Sequence, residues 1–442
     1  MSSPRRILIA TVDFPPIEGG ISTLTRETAH ALADLGHEVT VLAPRLRDAG
    51  CGRSPDRATL TTEGLPPPSS PEESPSRVLP LPLGEGRGEG EQRTDPTQSS
   101  DAPEQSGITI TTFPGYHLGI LRLFPFLWAG LPLARSHDHI LAINIAYGGV
   151  LGWLARTLFG TPYTTYAYAY EFLKFQRVPI LSGLIRKLYK RAEWTVAIST
   201  FSRDQLADFG VPAESIVVAH PGTREPMPVT DEEKRALRHR LAIEDGPIIL
   251  TVGRLIPRKR HLNLVHAFSR TLRSVPDAWL VIAGQGPEIS SISRMALRLG
   301  IRDRVLLPGK VDDDTLAQLY AACTVFALPC GEDADGQVEG FGLVFTEANA
   351  HGKPVIGGRS GGVPDAVING ETGILVEPDD LEALTDALVL LLTDSALARR
   401  LGEQGKARNA RVLSWEAFAQ AAFGILPPES NSPNHTGNLP GD

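Results

Sequence analysis

Glu339-Gly340-Phe341-Gly342-Leu343-Val344-Phe345-Thr346-Glu347 brings two carboxylates, a glycine hinge and a helix start into one short stretch. It lies between an apolar run, Thr324 to Leu328, that reads as a buried parallel strand, and a helical pattern, Leu343 to Ala350, that Gly352 stops. In a strand, loop, helix passage the first amides of the helix, here from Gly340 to Leu343, have no intrahelical partner. They point at whatever anion enters the loop, and the glycines let a phosphate approach the backbone. Glu339 precedes the helix and Glu347 lies about a turn and a half inside it, so the two acids can flank one ligand. Acid beside a phosphate site makes sense where the carboxylates accept hydrogen bonds from sugar hydroxyls, as an acidic residue does from ribose in dinucleotide folds. A surface turn with two solvated glutamates is the alternative that these residues alone leave open.

The rest of the chain repeats the strand and helix alternation. At 442 residues it is too long for one ordinary core, so two domains are expected. The net charge of −8 argues against nucleic acid as the main partner. Cys51, Cys323 and Cys330 have neither metal-ligand spacing nor an even-numbered framework, which predicts a reducing compartment and no bound metal. Arg5 and Arg6 precede an apolar run, Ile7 to Val12, too short for a signal peptide. The later apolar stretch Leu118 to Ala134 is broken by Arg122, Pro125 and Pro132 and makes a poor spanning helix. A cytoplasmic protein is expected.

Ile7 to Val12 reads as the first buried strand, followed by a loop ending in Gly19-Gly20 and a helix carrying Leu24, Thr28, Ala31, Leu32 and Leu35. Gly36 stops it, and His37 to Ala43 is the next strand. The Gly19-Gly20 pair sits where doubly wound folds bind phosphates, although a plain tight turn explains it equally well. Residues 48–106, rich in Pro, Gly, Ser and charge, cannot bury enough apolar surface to offset chain entropy and read as a disordered insertion. Strands resume at Ile108 to Phe113, Ile140 to Ile143, Tyr163 to Tyr166 and Trp194 to Ile198. Between the last two, the helix 180–191 has an apolar stripe of Leu181, Leu184, Ile185 and Leu188, with Arg186, Lys187, Lys190 and Arg191 on the remaining face. It suits either core packing or contact with an anionic membrane. His137 and His139 flank Asp138 without a third ligand in register, which favours a structural role.

In the second half, Thr230 with Glu233 predicts a capping box. Pro247 to Gly253 reads as a strand whose carboxyl end leads to Arg254 and Lys259. Ligands of open α/β sheets bind off such ends, so these cations can reach the cleft at Glu339, hold a diphosphate and neutralise the charge that grows as it departs. Ala278 to Ala283 and Val305 to Leu307 are further strands. Asp312-Asp313-Asp314 opens the helix that follows and reads as capping acids rather than a metal site. Gly361-Gly362-Val363-Pro364 is a turn before another helix, Trp415 to Leu426 is the last helix, and residues 427–442 read as a disordered tail.

Glu339 and Glu347, Gly253-Arg254-Leu255 with Arg258-Lys259, Gly284-Gln285-Gly286-Pro287, Gly309 and Gly361-Gly362 together resemble the retaining, nucleotide-sugar-dependent glycosyltransferases of family 4. The resemblance implies an α/β chain of GT-B architecture, two Rossmann-like doubly wound domains facing a central cleft. It places an acceptor-side domain at 1–221, a nucleotide-sugar domain at 222–409, and a helix at 410–426 that crosses back. It further implies that Arg254 and Lys259 hold the diphosphate, that the amides of Gly340, Phe341, Gly342 and Leu343 face the phosphates, and that Glu347 takes the ribose hydroxyls. Glu339 would position the transferred sugar, Lys310 and Val311 would border the base, and Gly19 and Gly20 would let the first domain close over the diphosphate. No metal or cofactor is implied beyond the nucleotide sugar itself. The acceptor it implies is a cell-envelope lipid or saccharide, and peripheral contact with the inner face of the plasma membrane stays one of the two readings of the helix 180–191. Tyr168 stands where many relatives carry a histidine near the sugar. A nucleotide-sugar epimerase of similar architecture and a non-catalytic nucleotide-sugar-binding scaffold are the competing readings.

Overall fold

Alternation along one strand explains the layering. In β1 (Arg6–Ala10), Ile7 and Ile9 point into one apolar cluster while Leu8 and Ala10 point into another, and all four are fully buried. A strand covered on both faces is the mark of a parallel sheet with helices on either side. The computed structural model describes residues 3–15, 17, 19–45, 107–114, 121–168 and 179–425. The expected insertion at 48–106, the tail at 427–442 and the stretch Ala169-Tyr170-Glu171 lie outside the described residues.

The first sheet adds β2 (Glu38–Pro44), β3 (Ile108–Phe113), β4 (His139–Ala142), β5 (Tyr163–Ala167), β6 (Trp194–Ala197) and β7 (Ile216–Val218). Its order is β3-β2-β1-β4-β5-β6-β7, with every described pairing parallel. Helices α1 (Gly20–Asp34), α2 (Leu123–Ser136), α3 (Val150–Phe159), α4 (Pro179–Arg191) and α5 (Thr200–Asp208) connect the strands. Leu24 and Leu32 of α1 cover the Ile7 face, and Phe126 of α2 with Leu151 of α3 cover the Leu8 face.

After α6 (Asp231–Arg240), the second sheet contains β8 (Ile248–Val252), β9 (Trp279–Ala283), β10 (Val305–Gly309), β11 (Val325–Leu328), β12 (Val355–Gly358) and β13 (Gly373–Val376). Its order is β10-β9-β8-β11-β12-β13, again parallel. The helices are α7 (His261–Thr271), α8 (Ile289–Arg298), α9 (Asp313–Ala322), α10 (Leu343–Ala350), the short α11 (Val363–Ala366), α12 (Leu381–Thr393), α13 (Ser395–Val412) and α14 (Trp415–Gln420). Each sheet reverses its winding once, between β1 and β4 and between β8 and β11. Ligands of doubly wound folds sit in the crevices at such points.

Local signals hold where expected. Thr230 accepts from the Glu233 amide and the Glu233 side chain returns to the Thr230 amide. Asp312 caps α9 through the Thr315 amide at 2.7 Å. Two expectations change. The last helix ends at Gln420, because a 3₁₀ turn, Ala421–Phe423, follows and Gly424 takes a left-handed φ of 75°. The expected division at 409/410 falls inside α13, which runs unbroken to Val412 before α14 packs on α1. The chain passes between the sheets twice, side by side: the Thr223 amide donates to the Leu413 carbonyl at 2.8 Å, and a Cβ on Gly222 would lie 2.5 Å from the Trp415 nitrogen.

Candidate active site

The site begins with two strand ends laid on each other. Gly253 closes β8 at φ 151° and Gly284 closes β9 at φ 147°. A Cβ on Gly284 would sit 1.9 Å from the Gly253 carbonyl oxygen, so only glycine permits the approach. The Leu255 amide then donates to Gln285 at 2.8 Å, which fixes the turn that follows. A 3₁₀ turn, Pro257–Lys259, and Arg260 in the left-handed region at φ 53° reverse the chain and bury Lys259.

Three consecutive cations of this turn hold the loop between β11 and α10. The Arg258 carbonyl accepts from the Gly331 amide at 2.8 Å and its guanidinium donates to Gln337 Oε1 at 3.3 Å. Lys259 Nζ donates to Glu339 Oε2 at 2.6 Å, and Arg260 donates to the Glu332 carbonyl at 2.8 Å. Burial by itself opposes both charges of the Lys259–Glu339 pair. Their mutual attraction wins: the Lys259 ammonium titrates above its ordinary value, and the Glu339 carboxyl, also facing Arg258 and Arg254, below its own. Arg254 itself is exposed at the end of β8. The pair therefore stands as a fixed dipole over the β8/β11 crevice.

Gly342 begins α10 at φ 95°, and a Cβ there would press on the Phe345 ring at 2.6 Å. No side chain caps this helix, so its amino end is left to the cleft. Phe341 turns its ring inward, stacked on His220 with centroids 5.4 Å apart, so it presents only backbone to the loop. Deeper in α10, Glu347 Oε2 accepts from the Tyr320 hydroxyl at 2.8 Å. Burial raises the Glu347 carboxyl above its ordinary value despite that bond and the charge of Arg224. Lys310 and Val311 follow β10 and line an open groove with Asp312, Asp313 and Asp314.

The first domain meets this loop at Tyr168. A Cβ on Gly340 would lie 2.6 Å from the Tyr168 carbonyl oxygen and 3.1 Å from Ile198 Cδ1, so the two walls touch through a glycine. Gly19 and Gly20 are exposed at the start of α1, and a Cβ on either would meet nothing within 4 Å. Gly19 nonetheless needs glycine for its φ of 146°.

The structure adds groups that the motifs do not name. Asn144, after β4, donates to Asp13 at 2.9 Å and accepts from the Val12 amide at 2.9 Å, bridging the first sheet's own crevice. Both follow strand ends, which is the signal that would have found them. Arg224, on the crossing between domains, pairs with Glu27 of α1 and lies close enough to Glu347 and Asp313 to feel their charges.

The sequence singles out two further stretches, 137–139 and the helix 180–191. His137 donates to the Leu133 carbonyl, Asp138 pairs with Arg6 and His139 bonds Thr164, so the three side chains diverge and serve structure. Part of the apolar stripe of α4 faces the core, with Ile185 and Leu188 buried beside Tyr189 and Phe209, while Ile180 and Leu184 of the same helix are exposed, at 89% and 41%. Further exposed apolar groups lie on α2, where Phe124 is 71% and Trp128 86% exposed. Helix α3 joins α2 to α4: Arg122 lies over the Tyr147 ring just before α3, and Lys187 of α4 lies over the Trp153 ring. Among the described residues no helix is long and apolar enough to cross a membrane.

Comparison with known proteins finds family matches over both halves of the chain. Residues 19–222 match the family described as glycosyl transferase 4-like domain, and residues 233–408 the family described as glycosyl transferases group 1. The chain is 29% identical over 409 residues to a GDP-mannose-dependent alpha-(1-6)-phosphatidylinositol monomannoside mannosyltransferase of Mycolicibacterium smegmatis, covering 90% of this chain and 92% of the relative. It is also 29% identical over 360 residues to a D-inositol 3-phosphate glycosyltransferase of Corynebacterium efficiens, covering 77% and 80%. Among solved structures, Anabaena HepE in complex with UDP and glucose superposes with a TM-score of 0.69 at 18% identity, over 95% of this chain and 98% of that one. Sucrose-phosphate synthase from Thermosynechococcus elongatus gives 0.70 at 23%, with the same coverage. These last two identities bear on the fold alone.

Proposed function

Because the chain belongs to the group 1 glycosyl transferases and has their GT-B fold, we propose that it transfers a hexosyl group from a nucleotide sugar to a lipid-linked acceptor, without a metal and with retention at the anomeric carbon. GDP-mannose is the first donor to test, and a mannosylated phosphatidylinositol the first acceptor, since relatives with those names align over nine-tenths of the chain. The observation that carries the reading is the buried Lys259–Glu339 pair at the β8/β11 crevice, beside the uncapped amino end of α10.

In this reading Arg254 and Lys259 draw the diphosphate to the crevice, and the amides from Gly340 to Leu343 complete its cradle. Glu347 accepts from the ribose hydroxyls, Lys310 and Val311 border the base, and Glu339 accepts from hydroxyls of the departing sugar. The bond from the anomeric carbon to the phosphate oxygen breaks while the acceptor oxygen bonds to the same face. The acceptor proton passes to the leaving phosphate, whose growing charge the two cations and the helix end stabilise. Gly19 and Gly20, at the open start of α1, would approach the diphosphate from the other wall, and Tyr168 would stand at the acceptor. The acceptor's membrane would meet Phe124 and Trp128 of α2, with Arg122 and Lys187 beside the anionic headgroups.

The test is mannosyl transfer from GDP-mannose to phosphatidylinositol monomannoside in liposomes, with EDTA present, and the anomeric configuration of the product read by NMR. An α-linked product that Arg254→Ala and Glu339→Gln both abolish is expected. Consumption of none of the GDP-, UDP- and ADP-sugars by folded protein would reject the reading, and transfer to inositol 3-phosphate alone would move the acceptor to a soluble anion.

A further inference from the structure

Asp365, on α11, sends its carboxylate out of its own domain. Oδ2 accepts from the Thr200 amide at 2.5 Å, and the Thr200 hydroxyl donates to Oδ1 at 2.9 Å. Thr200 is the first residue of α5, packed on the first sheet. The opening amides of a helix have no internal acceptor and carry partial positive charge, so a carboxylate there satisfies a donor and the helix dipole together. Ser199 caps the same helix locally through the Ser202 amide, and Asp365 supplies from the other domain what the local sequence does not.

The backbone around Asp365 is tied down on its own side. Arg408 of α13, 6% exposed, donates to the carbonyls of Asp365 at 2.9 Å and Ala366 at 3.3 Å. The same turn grips the Glu339 loop, because the Gly362 amide donates to the Glu339 carbonyl at 2.8 Å and the Asp365 amide to Gly362 at 3.1 Å. A Cβ on Gly362 would lie 1.9 Å from the Gly340 oxygen and 2.8 Å from Ser199 Cβ, so loop, turn and α5 meet without slack. Residues 361–365 thus touch the backbone of Glu339 on one side and the start of α5 on the other.

We infer that Asp365 is a positioning residue: its clasp on Thr200 seats the first domain against the Glu339 loop and sets the register of the two walls of the cleft. The inference rests on the reading of Glu339 as the group that holds the transferred sugar. Without the clasp the nucleotide keeps its partners in the second domain, while Glu339 and the acceptor wall lose their mutual placement. Misplacement of about 1 Å costs on the order of a hundredfold in rate. Asp365→Ala therefore lowers kcat by about ten- to a hundredfold and leaves GDP affinity unchanged. Asp365→Asn, which still offers an oxygen to Thr200, recovers part of the rate. The double variant with Thr200→Val is no slower than Asp365→Ala alone, because the two residues act as one unit.

The experiment measures kcat, acceptor KM and calorimetric GDP affinity for these variants, and amide exchange in peptides covering 198–203 and 338–342. Rate loss at constant GDP affinity, with both peptides exchanging faster, is the expected result. A kcat equal to that of the unaltered protein, GDP affinity falling in step with kcat, or faster exchange confined to 198–203 would overturn the inference. If the unaltered protein transfers no sugar, the transferase reading fails by itself and the exchange arm alone decides the clasp.

Discussion

Replacing Lys259 by methionine removes one member of a buried ion pair and leaves Glu339 facing the crevice without its partner. At 2.6 Å and an effective dielectric of about 20, the direct attraction is on the order of 6 kcal/mol, most of which offsets the cost of burying the two charges. Deleting one partner of such a pair typically costs about 3–5 kcal/mol, since the other stays buried and ionised. The sign of the pH dependence follows from the two shifts. Glu339 titrates low in the folded protein, so its contribution is present above the unfolded carboxyl pKa and is lost as pH falls through the folded one. Lys259 titrates high, so its contribution is present below the unfolded amine pKa and is lost as pH rises through the folded one. Near neutral pH both are in force. In Lys259→Met, burial raises the Glu339 carboxyl, so the variant is weakest at pH 8 and lies closer to the parent at pH 5, where more of the acid is protonated. Urea unfolding followed by circular dichroism at the two pH values measures this, read as midpoint shifts because two domains need not unfold together. Glu339→Gln added to Lys259→Met should recover most of the loss at pH 8. A loss under about 1 kcal/mol, equal at both pH values, would show the pair to be as screened as a surface bridge and refute the reasoning.

Glu347 titrates above its ordinary value through burial, so nucleotide binding should weaken as pH falls through the range just above that value. Glu347→Gln should bind weakly at every pH, with calorimetry of GDP between pH 5 and 8 as the check. His139, 2% exposed, bonds the Thr164 hydroxyl, which itself donates to Ala422, and burial lowers it from 6.5 to about 4. Its neutral form contributes stability above pH 6.5 that is lost as pH falls toward about 4, about 3 kcal/mol in all, and His139→Gln should remove that share of the acid sensitivity in thermal melts. Phe124→Glu with Trp128→Glu should abolish sedimentation with phosphatidylinositol-containing vesicles while leaving the thermal midpoint unchanged. Unaltered vesicle binding would remove α2 as the membrane face.

Much of the fold was legible because its signals are local. The capping box at Thr230, the cap at Asp312 and the span Leu343–Ala350 each depend on residues a few positions apart, and the structure reproduces them. Less legible were β12 and β13, whose glycines dilute the apolar run. Gly357 and Gly358 are glycine because Val363 and the Cys330 backbone press against them, a fact of packing rather than of local pattern. The three-residue β7 is too short to show a period.

The amphipathic helix α4 marks the boundary between the two kinds of knowledge. Its stripe is the same in sequence whether it meets a core or a membrane, and only the packing shows that Ile185 and Leu188 turn to Tyr189 and Phe209 while Leu184 stays exposed. The sequence alone determined two parallel α/β units and put Arg254 and Lys259 after a strand end, Glu339 before a helix start and Glu347 inside that helix, because hydrophobic period and glycine position dictate where elements stop. Only the tertiary structure decided that Lys259 closes on Glu339 across 80 residues, that Phe341 turns inward onto His220, and that Asp365 reaches Thr200 across 165. The first contact depends on how β8 and β11 lie side by side and the other two on how the domains meet, and side chains far apart along the chain carry no local mark of the partner they will meet.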